Sequence, residues 1–185
     1  KKICSCFVDF GYIVVNLGAE PINLRGVENP RLGADFNETN IFEFIFGSSL
    51  FIGDSSGPTM VALLLNKPAL IFDIFPPEIF PLNSSSLVHY VDVRQKDNKT
   101  DNFDKLNDSV DNFRLLTKGS ELERRGLTLN KLTLAEVKVL VDEFICLNRN
   151  GPNIEQEKLQ QQYLDKFNVK QNIGFLSHKL RPNYL

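Results

Sequence analysis

Three short apolar runs limit what this chain can fold into. Tyr12 to Leu17, Leu50 to Ile52 and Ala69 to Phe72 are strand-length, and none alternates apolar with polar residues. A half-exposed strand shows period two. Strands that are apolar at every position belong to parallel sheets covered on both faces. Helical signals fill the gaps between the runs. Thr39 or Asn40 is placed to cap a short helix through Phe46, with Glu43 three residues after Asn40. Pro58 suits a first helical position, where its fixed φ and missing N–H cost nothing. The helix from Thr59 to Asn66 then carries Met60, Val61, Leu63, Leu64 and Leu65, and Lys67-Pro68 ends it. This rhythm predicts an α/β fold, a Rossmann-like parallel sheet with helices on both faces. Val88 to Val93 is expected to add a strand.

Ligands in such sheets sit at the carboxyl ends of the strands. Three connections are expected on that edge: Gly18 to Arg25, Gly53 to Pro58 and Asp73 to Pro77. The long Gly-, Pro- and Asn-rich stretch from 18 to 38 is of a kind that is often functional in a compact domain.

The pattern changes further on. Residues 1–95 read as the Rossmann-like domain, 96–132 as a polar connecting region and 133–185 as a helical appendage. Thr133 and Glu136 form a capping box for an amphipathic helix to Asn148, with Leu134, Val137, Leu140, Val141, Phe144 and Ile145 on one face. Asn150-Gly151-Pro152 breaks it. A more polar helix follows from Ile154 to Phe167 with Leu159, Tyr163, Leu164 and Phe167 as its stripe.

Composition excludes several functions. A net charge of −2 over 185 residues gives no basic footprint for nucleic acid. The three cysteines, Cys4, Cys6 and Cys146, are too few and too irregular for a disulfide framework, and read as small apolar residues in a reducing compartment. Cys4-Ser5-Cys6 is too tight for a zinc pair, and only His89 and His178 could complete one, so no metal is expected. No apolar run approaches the roughly 18 residues that cross a bilayer, and no secretory signal pattern opens the chain. A cytoplasmic protein is expected, with peripheral membrane contact compatible. The Asn-x-Ser/Thr triplets at Asn37, Asn83, Asn98 and Asn107 then read as by-products of an Asn-rich composition. The chain opens on Lys1-Lys2 and its one methionine is Met60, which leads us to expect an amino-terminally truncated piece of a longer protein.

The richest chemistry lies in Gly53-Asp54-Ser55-Ser56-Gly57-Pro58-Thr59. A diphosphate needs several N–H or O–H donors converging near a positive helix end. The two glycines permit close backbone approach, and Ser55, Ser56 and Thr59 carry hydroxyls. The stretch lacks the Gly-Lys-Ser/Thr of a Walker loop and is not GxGxxG. A nucleophile elbow is poorly supported, because neither histidine lies in an obvious strand-end loop. Plain helix capping by Ser56 or Asp54 explains the same residues. On residue chemistry alone, the two explanations stand side by side.

Phe51-Ile52-Gly53-Asp54-Ser55-Ser56-Gly57-Pro58, followed by a small-apolar helix and Asn66-Lys67-Pro68-Ala69-Leu70, resembles the carboxy-terminal domain of GT-B fold bacterial sugar glycosyltransferases. More distantly it is similar to the lipopolysaccharide heptosyltransferases. Tyr12 to Gly18 looks like the family's preceding strand and glycine, and the resemblance covers residues 10 to 80. It implies a donor site in which Asp54, Ser55, Ser56 and Gly57 hold the diphosphate or sugar of a nucleotide sugar, with Gly53 and Thr59 completing the turn. Gly18, Arg25 and Asp73 are further donor-binding candidates. The family pattern expects a basic residue where Asn16 stands, and Arg25 or Arg31 could replace it. The catalytic base of GT-B enzymes generally belongs to the amino-terminal domain, so none is named here. The implied reaction moves a sugar from a nucleotide-sugar donor to a glycan or lipid-linked acceptor, without metal or other cofactor.

Other residues have bland readings beside functional ones. Asp35 and Glu38 could pair as acid and base, and Glu43 could reach a ribose, but loop carboxylates are ordinarily solvated. Phe72, Phe75 and Phe80 could stack on a base or sugar, though core packing is the commoner role of such aromatics. Two rival functions remain. One is a non-catalytic Rossmann-like module that binds a sugar, a phosphate or a protein. The other is a nucleotide-sugar epimerase of GT-B architecture, which needs no acceptor.

Overall fold

Along the computed structural model the elements are α1 (Lys2–Asp9), β1 (Val14–Val15), β2 (Val27–Glu28), a 3-10 turn (Pro30–Leu32), α2 (Thr39–Gly47), β3 (Phe51–Gly53), α3 (Gly57–Leu64), β4 (Ala69–Ile74), β5 (Leu87–Tyr90), β6 (Val93–Gln95), β7 (Leu127–Leu129), α4 (Leu134–Asn150), α5 (Ile154–Lys166) and β8 (Phe175–Leu176). The structure describes residues 1–37, 39–54, 56–74, 85–91, 93–95, 127–130, 132–166, 175–177 and 179–180. The fold is mixed α/β, with a four-stranded parallel sheet in the order β3-β4-β5-β8.

The lack of alternation in the apolar runs follows from burial on both sides. Side chains of β4 still alternate in direction. Ala69 and Ile71 join Val88 and Tyr90 of β5, Leu176 of β8, Leu63 of α3 and Leu159 and Tyr163 of α5. Leu70, with Leu87 of β5, meets Phe7 of α1 and Val137, Leu140, Val141 and Phe144 of α4 on the opposite face. Each fully buried side chain of this size contributes about 1.5–3 kcal/mol of transfer free energy. A third cluster, Ile41 and Ile45 of α2 with Ala62 of α3, receives Leu17, Phe36 and Phe51 at its margin.

Several expectations need correction. The run Tyr12 to Leu17 yields a strand only at Val14–Val15, and Ile13 is 77% exposed. The reason is that β1 pairs with β2 in a separate two-stranded parallel sheet, and no ladder among the described residues joins it to β3. The single strand expected over Val88 to Val93 divides. β5 stays in the main sheet, whereas β6 pairs antiparallel with β7. Residues 96–126 of the expected connecting region lie outside the described residues, but its far end supplies β7.

Residues 133–185 are not an appendage. They provide β8 and one covering helix for each face. A carboxylate is buried among them. Glu143 of α4, 2% exposed, accepts from Gln156 Nε2 of α5 at 3.1 Å and from Ser177 Oγ after β8 at 2.6 Å. The Thr133–Glu136 capping box forms, and Gly151 at φ 79° ends α4. α5 has a cap that the sequence reading missed, in which Asn153 and Gln156 exchange side chain-to-backbone bonds of 3.0 and 2.8 Å. The signal was present as Asn153-Ile154-Glu155-Gln156. α2 already includes Thr39 and Asn40, the residues expected to cap it, and Thr39 N donates to Asn37 Oδ1 at 2.9 Å. None of the described helices is long and apolar enough to cross a membrane.

Candidate functional site

β3 ends at Gly53, and α3 begins at Gly57 after Ser56 as N-cap in an extended conformation. Pro58 therefore holds the second helical position, one later than expected. Ser56 makes no side-chain bond to the helix amides, so its hydroxyl does not perform the capping that competed with a ligand role. Instead the turn is braced from within. Thr59 Oγ1 donates to the Asp54 carbonyl at 2.6 Å and lies 3.2 Å from Ser56 Oγ, while Ser56 N donates to the same carbonyl at 2.9 Å.

This bracing divides the predicted residues. Thr59 is fully buried and belongs to the scaffold. A Cβ at Gly53 would stand 2.7 Å from Thr59 Oγ1 and 2.7 Å from the Phe51 ring, so Gly53 answers to internal packing. Gly57 is the opposite case: it is exposed, with nothing within 4 Å of its would-be Cβ. Asp54 is exposed and Ser56 half-buried. Ser55 lies outside the described residues. What the turn offers to a ligand is therefore Asp54, Ser56 and the open backbone of Gly57, since Pro58 has no N–H, Thr59 is buried and Met60 N already donates to Ser56 O.

The end of β1 is organised by Asn16. Its Nδ2 donates to Glu20 O at 2.8 Å and to Asn29 Oδ1 at 2.9 Å, and its Oδ1 accepts from Gly18 N at 3.0 Å. Asn29 also exchanges bonds with the backbone of Ile22 at 2.8 and 3.1 Å. A Cβ at Gly18 would stand 3.0 Å from Asn16 Oδ1, a tight approach to the amide that pins the loop. Asn16 and Asn29 were not singled out as binding residues, and their role is to pin the loop. Arg31 Nε donates to Leu17 O at 2.8 Å, with the guanidinium 4.9 Å from the centre of the Phe36 ring.

Placement separates the remaining candidates. β1 and β2 are parallel, and Val14 N donates to Gly26 O at 3.2 Å. Arg25 precedes β2 and so sits at the amino edge of the β1–β2 pair, whereas Arg31 follows β2 and sits at its carboxyl edge, as Gly18 does after β1. Asp73 is the fifth residue of β4, near its carboxyl end, where the register with β5 shifts between Ile71 and Ile74. Asp35 is exposed, Glu43 is exposed and takes a 3.3 Å bond from Asn40 Nδ2, and Phe72 packs against the α1–α4 core. Glu38, Phe75, Phe80 and His178 lie outside the described residues, while His89 is buried in β5.

Among the described residues no group of three or more His, Cys, Asp or Glu side chains is arranged to hold a metal. The perturbed groups lie in the core. Burial pushes the Cys6 thiol up, only partly offset by Lys138, and burial likewise raises the Tyr163 phenol against the opposing effect of its hydrogen bond with Tyr90. A thiol held neutral is a poor nucleophile, so Cys6 behaves as a small apolar residue. No protein-family model, no curated protein and no solved structure matches the chain at a significant level.

Proposed function

We propose that this chain is the donor-binding half of a GT-B-type glycosyltransferase, with a Rossmann-like sheet. It would transfer a sugar from a nucleotide sugar to a glycan or lipid-linked acceptor. One observation carries the reading beyond resemblance: at the carboxyl end of β3 in the parallel sheet, an exposed Asp54 and an open Gly57 lead directly into the amino end of α3. Leu17 and Phe51 pack on the same α2–α3 cluster, and Val14 and Ile52 on the same α1–α4 cluster. The end of β1 thus shares its packing partners with β3, although no ladder joins the two strands.

In this reading the Ser56 hydroxyl and the exposed Gly57 amide at the start of α3 hold diphosphate oxygens, favoured by the positive helix end. The Asp54 carboxylate repels phosphate and suits sugar or ribose hydroxyls, which donate to it. The open face at Gly57 lets the ligand reach the backbone. Stabilising charge on the departing diphosphate needs prearranged donors and no metal.

The test combines a calorimetric titration of nucleoside diphosphates with sugar release from a panel of nucleotide sugars, the latter on the full-length protein. Ser56→Ala with Asp54→Ala is expected to weaken nucleoside-diphosphate binding roughly tenfold at an unchanged melting temperature. Unchanged binding would show that the turn only starts a helix. Tight binding without turnover of any donor would favour a non-catalytic module.

A further inference from the structure

We infer that the outer face of the α2–α3 helix pair docks a second copy of this chain about a two-fold axis, independently of any ligand at the carboxyl edge. A surface helix keeps polar residues outside, whereas a helix that is apolar all round is a covered one. α3 is built the second way. From Gly57 to Leu64 it holds no charged residue, and its one polar side chain, Thr59, is fully buried. Its solvent side is Met60 and Leu64, one turn apart, with Leu65 just beyond the helix end, and Leu64 is 83% exposed. α2 continues this surface. Ile41 and Ile45 turn inward to Ala62, while Phe42 and Phe46, the residues after them, stay 56% and 70% exposed. The far ends of the two helices are tied together. Lys67 Nζ donates to Phe46 O at 2.5 Å and to Ser48 O at 2.8 Å, and lies 5.6 Å from the centre of the Phe46 ring.

Area and charge select the occupant. Phe42, Phe46, Met60, Leu64 and Leu65 together leave on the order of 500 Å² of mainly apolar surface open. A standard interface removes about 800 Å² from each partner, and about 65% of it is apolar in homodimers. The open face thus matches the apolar share that a dimer needs. A two-fold pairing presents the same patch from both sides, so the apolar areas cover each other. The charges that flank the face are Glu43 on α2 and Lys67 after α3, one of each sign. Two-fold symmetry can set the carboxylate of one protomer against the ammonium of its partner. A bilayer asks for something different. Helices that lie on anionic lipid carry several Lys or Arg on their polar face. From Thr39 to Lys67 the sequence has one basic residue against Glu43 and Asp54, and the chain as a whole carries a net charge of −2.

Sedimentation velocity of the full chain over a concentration series reads the pairing. The parent is expected to pass from one chain mass to two in the micromolar range. Leu64→Lys puts a charge into the face and is expected to raise the concentration of half-dimerisation roughly tenfold or more, with Phe46→Ser acting in the same direction. Leu134→Lys changes an exposed leucine of α4, which covers the opposite face of the sheet, and is expected to leave pairing alone. Should Leu64→Lys not fold, Phe46→Ser decides. A parent that stays monomeric throughout the series overturns the inference. So does a dimer that neither face substitution weakens, or one that Leu134→Lys weakens equally. Co-sedimentation of a monomeric parent with phosphatidylcholine–phosphatidylglycerol vesicles, lost in Leu64→Lys, would give the face to a membrane and overturn the dimer as well.

Discussion

Thr59 Oγ1 donates a 2.6 Å hydrogen bond to the carbonyl of Asp54, five residues earlier, and so closes the turn between β3 and α3. The bond is made by a fully buried side chain. It fixes where Ser56 and Gly57 meet solvent. Replacing Thr59 by Val keeps the shape and removes the donor. We expect a loss of about 1–2 kcal/mol in a urea melt, and a smaller loss for Thr59→Ser, which retains the hydroxyl.

The two glycines of the turn should respond in opposite ways. Gly53→Ala forces a methyl group to within 2.7 Å of the Phe51 ring and Thr59 Oγ1, and overpacking of this kind costs about 1–3 kcal/mol. Gly57→Ala meets open space at the first position of α3. It is expected to leave stability unchanged or raise it by a few tenths of a kcal/mol. Paired thermal melts of the two variants check this, and equal destabilisation would contradict it.

Ser177→Ala removes one donor to the buried Glu143 carboxylate, at the point where β8 joins α4. Removing one hydrogen bond to a buried side-chain acceptor costs about 1–3 kcal/mol. Hydrogen exchange should show the loss at Ser177 N, which bonds Val88 O at 2.9 Å. Protection in β3, the strand at the far edge of the sheet, should change only with global stability.

Stability is expected to fall at alkaline pH through Tyr163. Burial raises its phenol above the ordinary value of 10.0, so the folded state holds its proton after the unfolded chain has lost it. The contribution is complete below about pH 10 and is lost as pH rises through the folded value. Denaturant melts from pH 8 to 11 should decline more steeply for the parent than for Tyr163→Phe, which has nothing to ionise there.

Much of this architecture was written locally. The apolar runs Leu50 to Ile52 and Ala69 to Phe72 became β3 and β4 because a strand covered on both faces needs no polar position. Thr133 and Glu136 announced α4 because a capping box is a contact between residues three apart. The Gly53–Gly57 turn was legible for the same reason, since strand end and helix start are short-range signals.

What the sequence could not disclose depends on which segments become neighbours. Tyr12 to Leu17 looked like a core strand, yet only Val14–Val15 pairs, because its partner is β2 and it forms no ladder with β3. Residues 133–185 read as an addition, yet β8 completes the sheet beside β5 from some 85 residues further along the chain. Arg25 and Arg31 are equivalent in a sequence. The parallel run of β1 and β2 sends one to the amino edge and the other to the carboxyl edge. Local pattern determined the elements and the candidate turn. Long-range pairing determined which strands share a sheet and at which edge of the β1–β2 pair each arginine stands, because burial on both faces selects partners far apart in the chain.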